Sequence, residues 1–321
     1  MTARRFFCYC ARMLKCFRVF QPLFFRAALL GLATVAPVRG ADDFTLESAR
    51  TAAAQGDARA QFDLSRRYVQ GEGVPQDYAK AVAYLRQSAA QGYARAQNNL
   101  GACYADGLGL PQDFAESAKW FRLAAEQGDP LAEYSLGLAC ENGRGVPTNQ
   151  LEAVKWYQAA AAQNQTNAIL ALADLYLGGK GVPADYQTAR HWFEKAAAGG
   201  SLDALNSLGY IYETGANGVP RNLALACSYY RQAAEKGVAK AQLNLGRAYL
   251  YGHVVDADPV EACKWFYVSA RNGEGIAQHY LEEMEDKVQY GDLPCQPLTG
   301  RQITEAVRRA TEFETPRSPS H

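Results

Sequence analysis

Apolar residues recur along this chain at helical spacing, and the pattern returns six times. Ala96, Leu100 and Tyr104 fall at i, i+4 and i+8, so they share one helix face. The same columns hold Ala60, Leu64, Tyr68; Ala132, Leu136, Cys140; Ala168, Leu172, Tyr176; Ala204, Leu208, Tyr212; and Ala241, Leu245, Tyr249. Beside the leucine stands a small residue: Ser65, Gly101, Gly137, Ala173, Gly209 or Gly246. Glycine there costs helix propensity, so the column predicts a second helix passing close to it. The units start at Gly56, Gly92, Gly128, Asn164, Gly200 and Gly237, a period of 36 residues except the fifth, which has 37. A period of this size predicts stacked supersecondary units and an extended surface in place of a buried catalytic pocket.

Each unit reads as two helices and two turns. The first helix stops at Gly71, Gly107, Gly143, Gly179, Gly215 or Gly252, where a residue tolerating positive φ makes a helix cap. Asp77, Asp113, Asn149, Asp185, Asn222 and Asp258 then stand as N-caps of the second helix. Glutamates three residues after Asp113, Asn149 and Asp258 predict capping boxes. In unit six Val255-Asp256 replaces the Val-Pro of its neighbours, and Pro259 follows the cap. The second helix carries a pair, Tyr84-Leu85, Trp120-Phe121, Trp156-Tyr157, Trp192-Phe193, Tyr229-Tyr230 or Trp265-Phe266. All four tryptophans of the chain lie in this column, which marks it as core.

The run Ala96-Gln97-Asn98-Asn99-Leu100-Gly101-Ala102-Cys103-Tyr104, followed by Gly107-Leu108-Gly109-Leu110-Pro111-Gln112-Asp113 and Ala118-Lys119-Trp120-Phe121, resembles the Sel-one-like repeat, a relative of the tetratricopeptide repeat. The resemblance covers residues 56–272 and, as a half unit, Gly273 to Gln289. It implies an all-α fold, a right-handed α/α solenoid, and adaptor or regulator roles without catalysis. The expected layout is a signal peptide over 1–40, a capping helix within 41–55, repeats over 56–289, a linker at 290–298, a closing helix over 299–313 and a tail from 314 to 321. Thr299 with Gln302 predicts a capping box for the closing helix, and Ile303, Ala306, Val307 and Ala310 form its apolar stripe.

The first 40 residues hold seven Arg or Lys and no acid, with a short apolar run from Ala27 to Val38. The run falls short of the ~20 residues that span a bilayer. Val38-Arg39-Gly40 offers small residues at the cleavage positions, so the mature chain is expected to begin at Ala41, in the periplasm or secreted. A signal anchor, and a start at Met13, are the alternatives. The whole chain has 33 basic and 33 acidic residues; losing the seven leaves 26 against 33, a net of −7. An acidic domain argues against nucleic acid as partner. No stable membrane insertion is expected once the leader is gone.

Cys103, Cys140, Cys227, Cys263 and Cys295 remain after cleavage, an odd number that makes a poor disulfide framework. They read as small buried apolar residues. Some relatives carry a cysteine pair in every repeat, and this chain departs from that pattern. His191, His253, His279 and His321 are scattered, and neither a G-x-S-x-G elbow nor a Ser-x-x-Lys run occurs. No metal, cofactor or catalytic residue is assigned.

Function then falls to the surface. By the same resemblance, first helices line an inner groove at columns offset from the Ala-Leu-Tyr seam. These columns include Arg59, Phe62, Arg66, Arg95, Asn98, Tyr134, Leu138, Glu141, Leu170, Asp174, Asn206, Tyr210, Glu213, Lys240, Arg247 and Tyr251. Arginine with exposed aromatic and aliphatic side chains is the composition of a partner-binding face. The candidate contacts for a protein or peptide are Arg66, Tyr134, Leu138, Tyr210 and Arg247. The rival reading is an envelope hydrolase of cell-wall or β-lactam chemistry, its site hidden in the groove.

Overall fold

A computed structural model describes residues 45–216, 218–252, 257–285 and 298–314, and every regular element among them is an α-helix. The expected signal peptide, Val255-Asp256, His253, Cys295 and residues 315–321 of the expected tail lie outside the described residues, while Glu314, expected to open the tail, is still helical. The chain divides into two compact units, one ending at Gln165 and the other beginning at Thr166.

Unit 1 runs α1 (Leu46–Ala54), α2 (Ala58–Gln70), α3 (Tyr78–Ala90), α4 (Ala94–Asp106), α5 (Phe114–Ala125), α6 (Pro130–Asn142) and α7 (Gln150–Ala162). Unit 2 runs α8 (Thr166–Gly178), α9 (Tyr186–Ala198), α10 (Leu202–Thr214), α11 (Leu223–Ala234), α12 (Ala239–Leu250), α13 (Pro259–Arg271), α14 (Gly275–Glu285) and α15 (Gly300–Glu314). Within each unit the first helix of a repeat packs most closely on its own second helix, and that second helix packs on the first helix of the next repeat.

The predicted seam is the core. The Ala and Leu columns are buried in all six repeats. Beside them the small-residue column does what its sequence cost suggested. A Cβ on Gly101 would stand 2.8 Å from the Phe121 ring, and on Gly137, Gly209 and Gly246 it would stand 2.5, 2.5 and 2.6 Å from the rings of Tyr157, Tyr230 and Phe266. The ring of the second helix therefore lies directly on bare backbone of the first.

Only the second residue of each aromatic pair reaches that position. Phe121, Tyr157, Phe193, Tyr230 and Phe266 are buried, whereas Trp120, Trp156 and Trp192 are half-buried. The reading of the whole tryptophan column as core is corrected here, since neighbours i and i+1 on a helix do not share a face. Trp265 alone is buried, beneath Phe313 of α15 at 5.0 Å.

All six predicted N-caps form, each side-chain oxygen accepting from a main-chain N–H in the first turn. Their own N–H groups are donated elsewhere: Asp77 to Tyr68 O, Asp113 to Tyr104 O, Asn149 to Cys140 O, Asp185 to Tyr176 O, Asn222 to Tyr212 O and Asp258 to Tyr249 O, at 2.8–3.0 Å. This explains why the expected capping boxes at Asp113, Asn149 and Asp258 are incomplete. The N–H that the glutamate would have received is already taken. Glu116 pairs instead with Lys119, Glu152 with Arg122, and Glu261 with Lys264 and Arg309. Thr299 and Gln302 do form the reciprocal box. On α15, Ala306 and Ala310 are buried, but Val307 lies 39% exposed at the edge of the stripe.

A polar seam joins successive repeats. Gln61 and Gln97, both buried, donate from Nε2 to Ala53 O (3.3 Å) and Ala89 O (3.2 Å), and accept from Gln91 Nε2 (2.8 Å) and Gln127 Nε2 (2.7 Å). Gln242 repeats the arrangement in unit 2, donating to Ala234 O and accepting from Asn272. Position 133 breaks the rule. Glu133 is buried and accepts from Gln163 Nε2 at 2.9 Å, but a carboxylate has no amide to give the carbonyl that its column faces. Burial, and then the charge of Asp129, raise its pKa above the usual carboxyl range, partly offset by the Gln163 bond.

Two outcomes follow from this packing. Leu136→Ala removes a fully buried seam side chain and is expected to cost ~2–5 kcal/mol, whereas Asp174→Ala, at an exposed position, should change stability by under ~0.5 kcal/mol. Urea melts with coincident midpoints would put the seam elsewhere. Glu133→Gln restores the amide and is expected to stabilise by about 1 kcal/mol at neutral pH. A carboxyl group whose folded pKa is raised loses stability as pH climbs above the ordinary value of 4.5. The gain of the Gln variant should therefore shrink toward pH 4.5 and below, and a pH-independent difference between the two proteins would refute the account.

Candidate protein-interaction face

The first-helix face of unit 1 is built on α2, α4 and α6. Phe62 belongs to the core: it is 8% exposed and meets the Tyr93 ring edge-on at 5.3 Å. Its expected place in the groove is thus corrected, because Val82, Leu85 and Leu100 pack around it. Arg66, one turn further on, is half-buried. Asn98 occupies the Phe62 column in the next repeat and is also 8% exposed. Its Nδ2 donates to Asn99 Oδ1 at 3.3 Å, while its own Oδ1 is buried with no hydrogen-bond partner.

Tyr134 fills that column on α6, with Leu138 one turn beyond it. Neither projects freely. Both are half-buried, and the Tyr134 ring leans on Tyr157 at 5.8 Å. Burial, with the charge of Glu141 added, pushes the Tyr134 phenol up to about 12. Glu141 is itself engaged, accepting from the Tyr157 hydroxyl at 2.8 Å. Leu131, at the start of the same helix, is 48% exposed and was not foreseen.

In unit 2 the corresponding face comes from α8, α10, α12 and α14. Asn244 Nδ2 donates to Asn206 Oδ1 at 2.9 Å and ties α10 to α12. Tyr210 and Tyr251 are exposed, Tyr210 to 37%. Tyr230 donates its hydroxyl to Glu213 at 2.7 Å. Arg247 is half-buried with a buried Nε that has no hydrogen-bond partner. Burial opposes its charge, but Tyr280, Glu213, Tyr230 and Tyr251 outweigh it and the pKa lies above the ordinary value. Arg66 thus lies on α2 and Tyr134 and Leu138 on α6 of unit 1, and Tyr210 and Arg247 lie on the consecutive first helices α10 and α12 of unit 2.

Among the described residues no group of three or more metal-ligating side chains converges, and no helix is long and apolar enough to cross a membrane. Cys103, Cys140, Cys227 and Cys263 are buried thiols outside any disulfide, and burial pushes the Cys103 thiol up to about 12 and those of Cys140 and Cys227 up to about 11. Such thiols are poor nucleophiles at neutral pH.

The profile described as Sel1 repeat matches residues 58–93, 94–129, 130–165, 166–201, 202–238 and 239–274. Each match opens at a first helix, two residues after the glycine, or in the fourth repeat Asn164, that frames the repeat. A Sel1 repeat protein from Oxalobacter formigenes is 30% identical with a TM-score of 0.66, over 81% of this chain and 99% of that one. The protein c5321, a protective antigen of uropathogenic Escherichia coli strains displaying an SLR fold, is also 30% identical, with a TM-score of 0.57 over 85% of this chain and 65% of that one. The F-box protein At1g70590 of Arabidopsis thaliana is 48% identical over 56 residues, 17% of this chain and 15% of that protein. This chain thus spans less than two thirds of the length of c5321 and a small part of the F-box protein.

Proposed function

The chain belongs to the Sel1 repeat family, and from that premise we propose that it is a non-enzymatic adaptor or regulator of the cell envelope that holds a protein or peptide partner on its first-helix faces. The observation that carries this reading is the contrast between columns. The Ala-Leu seam and the aromatic column are used up by packing, whereas the offset columns keep Arg66, Tyr210 and Arg247 in partial or full contact with solvent. Tyrosine and arginine are the residues in which interface energy concentrates. Tyr210, exposed and rigidly rooted beside the buried Gly209, is the clearest anchor. Tyr134 and Leu138 offer the edges of side chains whose bodies are packed, which pre-orders them for contact at little entropic cost. The basic leader and the apolar run Ala27 to Val38 support export, with the mature chain starting at Ala41.

Capture from an envelope extract tests the binding reading. Tyr210→Ala should weaken recovery of the partner at unchanged thermal midpoint. Tyr134→Leu, chosen because leucine fills the same column at Leu170 and Leu243, should weaken it without collapsing the third repeat. Undiminished capture by both variants would remove the first-helix faces from consideration. Hydrolysis of a cell-wall or β-lactam substrate by highly purified protein would replace the adaptor reading with an enzymatic one.

Export has its own check. N-terminal sequencing of the protein from fractionated cells is expected to begin at Ala41 in the periplasmic or secreted fraction. A full-length product retained in the cytosol would contradict it, and an uncut product in the membrane would make the leader an anchor.

A further inference from the structure

Second helices carry a motif that the first-helix faces do not use. Glu-x-x-Lys-Trp occurs at equivalent columns of three repeats: Glu116, Lys119 and Trp120 on α5, Glu152, Lys155 and Trp156 on α7, and Glu261, Lys264 and Trp265 on α13. Spacings of three and four residues put each glutamate beside its own lysine and tryptophan. The copies differ in what covers them. On α13 the closing helix α15 lies over the motif. Arg309 donates to Glu261 Oε2 at 3.2 Å, the Phe313 ring meets the Trp265 indole edge-on at 5.0 Å, and the Lys264 ammonium stands 4.4 Å from the indole and 5.5 Å from the Phe313 ring. The Lys264 side chain keeps 13% of its exposure there, against 68% for Lys119 on α5. On α7, Lys155 and Leu151 are exposed and Trp156 is half-buried.

The α7 copy is a shaped site. Asn149, Leu151, Glu152, Lys155, Trp156 and Ala159 line one open hollow. Its carboxylate is held much as Glu261 is, with one cation fewer. Glu261 accepts from Lys264 on Oε1 and from Arg309 on Oε2. Glu152 accepts from Arg122 on Oε1 at 3.0 Å, while its Oε2 receives Asn149 Nδ2 at 3.4 Å, a long bond that an incoming guanidinium can displace. The indoles record the same difference. Trp156 Nε1 donates to Glu152 Oε1 at 3.5 Å, whereas Trp265 Nε1, beneath α15, is buried with no hydrogen-bond partner. The covering contacts on α13 hold despite that unmade bond.

The geometry points to the α7 copy as a docking site for an amphipathic α-helix of a partner protein that carries an arginine and an aromatic residue one turn apart, as Arg309 and Phe313 stand on α15. The partner's arginine pairs with Glu152 Oε2. Its aromatic ring packs against Trp156 with the Lys155 ammonium above, and Leu151 adds apolar area at the rim. The chain's own α15 is engaged on α13, so the occupant of α7 comes from another protein. This surface lies on second helices and is independent of the first-helix faces that carry the adaptor reading.

A labelled peptide of residues 299–314, which contains the Arg309 and Phe313 pair, stands in for the partner helix. Fluorescence polarisation with the intact protein reads its binding. The unaltered peptide is expected to bind, and one with Arg309→Ala and Phe313→Ala to bind about tenfold or more weakly. Glu152→Lys in the protein should weaken the unaltered peptide about tenfold. A peptide with Arg309→Glu should recover most of that loss, which a merely destabilised repeat could not produce. Trp156→Ala should weaken the peptide several-fold, and this loss should not be recovered by the charge exchange. Failure of the unaltered peptide to bind, or binding indifferent to Glu152→Lys, would overturn the site. Binding lost on Glu261→Lys but kept on Glu152→Lys would mean that the peptide displaces α15 from α13, and would overturn it as well. A protein that light scattering shows to be a dimer, and a monomer in excess peptide, would make the occupant the α15 of a second copy and overturn the partner helix. Loss of partner capture on Tyr210→Ala bears only on the first-helix faces, so the two readings can fail separately.

Discussion

Four of the six repeats depend on an aromatic ring lying against backbone that has no side chain. At Gly101, Gly137, Gly209 and Gly246 the ring from the second helix occupies the space where a Cβ would stand. Dispersion is summed over many atom pairs and falls away steeply with a gap of even half an ångström. Removing the Cβ lets the two helices approach until ring and backbone are in full contact. The neighbouring Ala and Leu columns are then sealed from water. Glycine costs each first helix roughly 1 kcal/mol of propensity, and the buried ring recovers it. Repeat one, with Ser65 opposite Leu85, and repeat four, with Ala173, show that other pairs of sizes can meet at the same place.

Close approach requires that the polar groups trapped near it be satisfied. The cap residue of each second helix answers for two of them at once. Its side chain accepts from the first turn ahead, and its N–H is donated back to the carbonyl in the column of Tyr68. One residue thereby locks the turn to both of its helices. The Gln61 and Gln97 amides do the same between repeats, each donating to one helix end and accepting from the next. These bonds are directional, so they fix the register of stacking that apolar contact alone would leave loose.

Most of this architecture was legible in the sequence, because repetition turns weak local signals into columns. Six aligned leucines identify a core that one leucine would not, and six aligned Asp or Asn residues identify a cap. The misjudgements arose where one residue has a choice of partners. Glutamates after the caps pointed to capping boxes, but the backbone had already taken the N–H they needed. Tryptophan suggested core, but adjacent residues on a helix cannot both face inward, and the second of each pair took that place. The glutamine seam was passed over although the dipeptide Ala-Gln recurs at Ala60-Gln61, Ala96-Gln97 and Ala241-Gln242. Whether Phe62 or Arg66 meets solvent was not legible at all. Columns fix which face a residue shares, and burial on that face depends on how far neighbouring side chains reach across it.

A stacked array separates its stability from its surface. Seam columns are constrained by contact with the adjacent helix, so they carry nearly the same residues from repeat to repeat. The offset column varies from Phe62 to Asn98, Tyr134, Leu170, Asn206 and Leu243 in successive repeats, with fixed neighbours at some positions, as Tyr93 is for Phe62 and Tyr157 for Tyr134. Variation that packing does not demand is where a binding preference can be written. On this ground a buried asparagine whose oxygen accepts nothing is more informative than any exposed charge. An exposed arginine is nearly free to keep, whereas an unmade buried hydrogen bond weighs against the folded state. Asn98 carries that cost in a column where Phe62 and Leu243 are buried apolar residues, so packing alone does not explain the amide.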